Sequence, residues 1–228
     1  MPGRDRRRDK RARTGTTPGN NTRFPGYDVL GQADTWDHVT KGAVLSRLVP
    51  PQPVGFFDTT EEATCRALTD RLLAQDEEPR IPIVEIINSR LANEEFDGWR
   101  YEDMPPDDVA WRKSLAYLEE DARSRFGKSF AELEHGRQND LIASVRAAGE
   151  WHGLDGERVW NLWGRYVLPA FYSHPWAWNE IGFGGPAYPR GYKNRGVGIL
   201  EPWEKPEEHP RDPVPWGERI ESVKKGHS

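Results

Sequence analysis

Residues 107–127 read DDVAWRKSLAYLEEDARSRFG, and this stretch decides the fold class. Trp111, Leu115, Leu118, Ala122 and Phe126 recur at steps of four, three, four and four, which lines them along one face of an α-helix. Asp107 and Asp108 favour the positive end of such a helix, and Gly127 suits its C-terminal stop. The same period continues on both sides. Upstream, Ile83, Val84, Ile86, Ile87 and Leu91 make a broad apolar face, and Ala63, Thr64, Ala67, Leu68, Leu72 and Leu73 make another. Thr59 and Glu62 have the capping-box spacing at the start of the more N-terminal of these two helices. Pro79 and Pro82 are expected to end it and to admit the next, because proline is tolerated in a first turn. Downstream, a helix is predicted from about Glu134 to Ala148 with Leu141, Ile142 and Val145 inward. Another follows Asp155, with Val159, Trp163, Tyr166, Val167 and Ala170 on one face, and Pro169 is expected to kink or end it. No run alternates as a strand does. The pattern predicts an all-α domain of about five main helices.

The remainder divides by composition. Residues 1–22 have the Arg, Gly, Thr and Asn content of a disordered basic arm. Residues 23–200 form the expected helical domain. Its first part, to Phe57, reads as an extended segment laid over the body and pinned by Phe24, Tyr27, Trp36, Val44 and Leu48. Residues 201–228 are rich in proline and charge and read as an extended tail, with Trp203 and Trp216 as anchors on a partner. The formal charge of −5 is uneven: residues 1–23 hold eight Arg or Lys and two Asp, so the rest is strongly acidic. An acidic body repels phosphate, and nucleic acid is not an expected partner. Arg6, Arg7 and Arg8 are followed by a polar stretch and not by the apolar region of a signal peptide. No apolar run reaches the roughly 20 residues of a spanning helix, so no direct membrane insertion is expected. The expected compartment at synthesis is therefore the cytoplasm, with the periplasm reached by co-export with a signal-bearing partner. Cys65 is the only cysteine, which excludes an intrachain disulfide, a cysteine zinc site, an iron–sulfur cluster and a CxxCH haem attachment. It is expected to be a small core residue.

After Phe171 the periodicity stops, and residues 172–192 read YSHPWAWNEIGFGGPAYPRGY. Pro175, Pro186, Pro189, Gly182, Gly184 and Gly185 are expected to exclude helix from this segment. Trp176, Trp178, Ile181, Phe183, Tyr188 and Tyr192 are too apolar to stay solvated, so either the body or another protein covers them. The polar groups present are His174, Asn179, Glu180 and Arg190. If the side chains of His174 and Glu180 met, they would form an acid–base pair for a stand-alone enzyme, with or without a metal. Trp176 and Trp178 would offer a stacking platform to a carbohydrate. The remaining histidines fall into no HExxH or HxH pattern, and no GxGxxG, P-loop, GxSxG or paired CxxC is present. GFGGP is followed by proline and not by a helix, so its amides are not arranged as a phosphate cradle. No catalytic, cofactor-binding or metal-binding residue is assigned to this chain. A helical body with an apolar irregular segment and long arms points to an interaction subunit.

Three stretches carry a resemblance: TTEEATCRALTDRLL (59–73), RFGKSFAEL (125–133) and, above all, HPWAWNEIGFGGPAYPRGY (174–192). The chain resembles the gluconate 2-dehydrogenase subunit 3 family, small subunits that accompany flavin-dependent dehydrogenases of the glucose–methanol–choline type. The likeness runs from about Phe24 to Trp203. It implies an accessory subunit of a membrane-type sugar, sugar-acid or alcohol dehydrogenase, bound to a large FAD-containing catalytic subunit. Some such complexes add a multihaem cytochrome subunit. The small subunit would support folding, maturation or export of the large one, and FAD would belong to that partner. The expected interface is Tyr172, His174, Trp176, Trp178, Glu180, Phe183, Tyr188, Arg190 and Tyr192. One departure stands out: small subunits of this family often bear a twin-arginine signal, and here no apolar region follows the arginines. The resemblance then implies a cytoplasmic complex or a signal carried by the large subunit.

Overall fold

The computed structural model describes residues 24, 26–194, 196 and 199–206. The basic arm (1–22) and Trp216 lie outside the described residues. Seven α-helices succeed one another among the described residues: α1 His38–Ser46, α2 Thr59–Leu73, α3 Ile83–Ala92, α4 Asp107–Phe126, α5 His135–Ala147, α6 Gly156–Ser173 and α7 Pro175–Ile181. Short 3-10 segments occupy Val29–Thr35 and Phe130–Glu132. Strands β1 (Glu150–Trp151) and β2 (Leu154–Asp155) form a minimal antiparallel ladder, with Trp151 opposite Leu154. His152 and Gly153 both take positive φ in its two-residue turn. Two residues per strand are too few to show alternation in the sequence. The chain is mostly helical, as its periodicity predicts.

Helix α6 lies against α3, α4 and α5, and the main core closes around it. Trp111, Trp163 and Tyr166 are wholly buried at its centre. Large rings suit this role when their polar atoms find partners. Trp163 Nε1 donates to Ser114 Oγ at 3.1 Å and the Tyr166 hydroxyl to Asp107 Oδ2 at 2.8 Å, whereas Trp111 Nε1 is buried without a partner among the described residues. Trp151 Nε1 donates to Asp121 Oδ2 at 2.9 Å, which pins the small ladder to α4. The predicted inward residues of α4, α5 and α6 are buried, except Phe126, which is half-buried. Cys65 is fully buried, and that burial pushes its thiol well above the usual range.

Several boundaries differ from the sequence-based expectation. Helix α2 starts from Asp58, not from a Thr59–Glu62 box. Asp58 Oδ1 accepts the Glu61 amide at 2.8 Å, and Glu61 Oε2 accepts the Asp58 amide at 3.0 Å. Both frames fit the spacing, and the aspartate frame also places a carboxylate at the helix's positive end. The same helix stops at Ala74, which turns left-handed, well before Pro79. Buried Gln75 then pairs both polar backbone groups of Ile81, accepting its amide at 2.7 Å and donating to its carbonyl at 3.3 Å. Helix α6 runs through Pro169 to Ser173. Pro169 lies on the exposed side, where water can serve the Arg165 carbonyl that loses its helical donor.

The N-terminal segment is also not extended. Asp28 caps the 3-10 segment by accepting the Leu30 amide at 3.0 Å, and Asp37 caps α1 by accepting the Thr40 amide at 2.7 Å. Of its expected anchors, Phe24, Tyr27, Trp36 and Val44 are buried and Leu48 is half-buried. The four buried anchors join Val29 and Trp178 in a second apolar cluster, separate from the main core. No helix among the described residues is long and apolar enough to cross a membrane.

Candidate docking surface

The breakers in residues 172–192 predict a segment without helix, yet α7 occupies Pro175–Ile181. The reason lies in where the breakers fall. Pro175 stands in the first turn, where its missing N–H is not needed, and Gly182 ends the helix in the left-handed conformation at φ 67°. His174 caps the N-terminus, its Nδ1 accepting the Trp176 amide at 3.2 Å. The prolines and glycines delimit a short helix and shape the chain beyond its C-terminus.

Asn179, completely buried, fixes α7 to the N-terminal segment: its Oδ1 accepts the Val29 amide at 2.7 Å. The glycines after α7 make a platform for rings. A Cβ at Gly182 would come closer than 3.0 Å to the ring of Phe24, one at Gly184 to Trp203, and one at Gly185 to Trp36. Each ring therefore rests directly on backbone, a contact that no other residue type at those positions allows. Arg190 holds the two flanks together. It donates to the Gly184 carbonyl, to Thr35 Oγ1 at 2.8 Å and to Gln32 Oε1 at 3.3 Å, and its guanidinium lies 3.8 Å from the Trp203 ring centre.

The nine residues named from the sequence are thus divided. His174 is 2% exposed and Trp178 5%, both turned into this chain. Trp176 is half-buried against the main core, and Glu180 and Arg190 are half-buried. Tyr172 (46%), Phe183 (40%), Tyr188 (66%) and Tyr192 (59%) remain exposed. Two of these rings are braced from behind: Phe183 meets Trp178 edge-on at 5.3 Å, and Tyr192 meets Trp203 at 5.0 Å. The outer side of the segment is an aromatic surface on a frame filled by the chain's own side chains.

The chemical alternatives find less in this geometry. Burial lowers the His174 pKa to about 4, so the ring is neutral near pH 7, and its Nδ1 is committed to the helix cap. Trp178 Nε1 donates to the Tyr172 carbonyl at 2.7 Å, and the ring faces the second cluster and not solvent. It does not form an open platform beside Trp176. Among the described residues, no three His, Cys, Asp or Glu side chains gather as a metal site. One pair is invisible to motif reading: His152 Nε2 lies 3.1 Å from Asp121 Oδ1, with the imidazole stacked on Tyr117 at 4.5 Å. Asp121 also anchors Trp151, so the pair serves as the fastening of the β1–β2 turn. Nothing local in the sequence signals it, since its members stand 31 positions apart. Two surface grooves, of about 490 and 480 Å3, lie along α2 and α5 and include none of the nine residues.

A family model described as gluconate 2-dehydrogenase subunit 3 matches residues 59–185. No curated protein and no solved structure matches the chain. The matched span starts with α2 and ends on Gly185, so it takes in α7 and the glycine platform. It is narrower than the likeness read from the sequence. The N-terminal segment, Arg190 and Trp203, which close over that platform, lie outside it.

Proposed function

The chain belongs to the gluconate 2-dehydrogenase subunit 3 family, and from that premise we propose that it docks on a large FAD-containing flavoprotein and supports its folding, maturation or export. Membership as a subunit 3 implies a complex with other subunits. The observation that carries the finer reading is that one segment keeps four rings exposed, Tyr172, Phe183, Tyr188 and Tyr192, while the frame beneath Phe183 and Tyr192 is well packed. Contiguous exposed apolar surface rimmed by polar groups is a mark of protein interaction sites, and aromatics are enriched at their buried centres. In this reading the flavin and the substrate, a sugar, sugar acid or alcohol, belong to the large subunit. A multihaem cytochrome is a further partner in the larger form of the complex. Membrane attachment and the final compartment then depend on the partners, because no described helix spans a membrane.

The neutral, buried His174 and the inward Trp178 favour this reading over a stand-alone enzyme or a sugar-binding module. The test is to produce the large flavoprotein with and without this chain. The expected result is a soluble, active complex only when both are present. A flavoprotein that is fully soluble and active alone, and that has no affinity for this chain, overturns the proposal.

A further inference from the structure

The groove of about 480 Å3 at the C-terminal end of α2 includes none of the docking residues. Steps of three and one along α5 bring Asn139, Ile142, Ala143, Arg146 and Ala147 to one face of that helix. Leu72 of α2 and the half-buried Trp160 of α6 complete an apolar lining, and the one-carbon side chains at 143 and 147 keep it open. Two cations line this groove, and among the described residues no carboxylate does. Arg146 is exposed, has no carboxylate partner among the described residues, and lies with its guanidinium 4.9 Å from the Trp160 ring centre. A guanidinium held over an indole keeps the edge of its planar fork free for an anion. The Arg71 side chain is only 9% exposed: its Nη2 donates to Asp76, and its Nε is buried without a partner among the described residues. Asp140 of α5 and Glu157 of α6 are exposed and do not line the groove. The neighbouring groove of about 490 Å3 differs, since its Arg66 and Arg80 pair with Glu62 and Asp70 inside it.

We infer that this groove binds a small carboxylate with an apolar body: the body lies on Leu72, Ile142 and Trp160, and the carboxylate meets the Arg146 guanidinium, with the Arg71 charge in the same wall. An apolar pocket of this volume with a few placed polar groups has the form of a small-molecule site. One unpaired guanidinium matches the single charge of a carboxylate, and its fork matches the two oxygens. Eight residues line the groove, against roughly 20–30 on each side of a stable protein interface. That size makes a small molecule the occupant and not a further subunit. The inference is independent of the docking reading.

The experiment titrates the full chain with octanoate and follows amide and indole resonances by NMR, with Trp160 assigned through Trp160→Phe. Octanol, octylamine and acetate at matched concentration separate the roles of charge and apolar body. The variants are Arg146→Gln, which removes the charge, and Ala143→Phe, which fills the groove; both positions are exposed, so the core is left intact. Arg137→Gln is the control, because Arg137 lies over Phe126 on the same helix and outside the groove. Octanoate is expected to shift Trp160 and the α5 amides saturably, with a dissociation constant on the order of 1 mM or below. Arg146→Gln should weaken it about tenfold, the worth of a charge-assisted hydrogen bond. Ala143→Phe should abolish binding, and Arg137→Gln should leave it unchanged. Octanol should bind about tenfold more weakly than octanoate by the same arithmetic, and octylamine and acetate should not bind. No saturable shift at Trp160 with octanoate overturns the inference. So does wild-type affinity in folded Arg146→Gln or Ala143→Phe, or octanol binding as tightly as octanoate.

Discussion

His174 accepts an amide on Nδ1 while buried, and an imidazolium cannot do both. The sequence shows a histidine before a proline, which is equally the start of a short helix and a candidate acid–base group. Burial decides between them, and burial is not legible locally. Its folded pKa is about 4, below the value of about 6.5 expected in the unfolded chain. The unfolded state therefore takes up the proton first. The stabilisation from neutral His174 is complete above about pH 6.5 and is lost as pH falls toward 4. His174→Asn, which keeps a capping oxygen, should flatten the stability profile between those values in denaturant titrations at stepped pH. A profile as steep as wild type would mean that other groups titrate there. Asn179 is a second case, since its partner Val29 lies 150 positions away and no spacing rule reaches it. Asn179→Ala should cost about 1–3 kcal/mol by leaving the Val29 amide buried without an acceptor. An unchanged unfolding midpoint would show that water takes the place of the side chain.

Among the elements, those with a long apolar stripe are legible in the sequence and those made by their ends are not. Helices α4, α5 and α6 are read from periodicity because one face of each enters the main core. Helix α7 and the 3-10 segment are short, and their existence depends on Pro175, Gly182 and Asp28 standing at particular positions. Counting breakers without placing them predicts the wrong state. Pro169 is a parallel case, since a buried apolar face holds α6 together through it. Pro169→Ala should restore an N–H to the Arg165 carbonyl and raise stability by about 1–3 kcal/mol, read from chemical denaturation. A loss of stability would instead assign the proline a packing role. Gly185→Ala meets two obstacles, a left-handed φ of 76° and the Trp36 ring. It should cost at least about 2 kcal/mol and expose Trp36, with a red shift in tryptophan emission. Unchanged stability and emission would show that the segment shifts without loss.

At the scale of the molecule, the chain is a helical body whose C-terminal segment is closed over by its own flanks. The aromatic content of that segment announces a covered surface, and the structure divides the cover. Phe24, Trp36 and Trp203 rest on the glycine side, while Tyr172, Phe183, Tyr188 and Tyr192 face outward. That division is out of reach of the sequence, because two of the covering rings, Phe24 and Trp36, come from a segment far from it in the chain. The function proposed for this chain depends on the outward side binding the large subunit of the complex. The direct measurement is the affinity of the large flavoprotein for the wild-type chain, for Phe183→Ala with Tyr192→Ala, and for Trp176→Ala. The first variant is expected to bind about thirtyfold more weakly or worse, from about 2 kcal/mol for a lost interface aromatic, with near-normal stability. Trp176→Ala, whose ring packs on the main core, is expected to lose stability while affinity changes little. Undiminished binding by the Phe183→Ala, Tyr192→Ala chain would contradict docking through these rings.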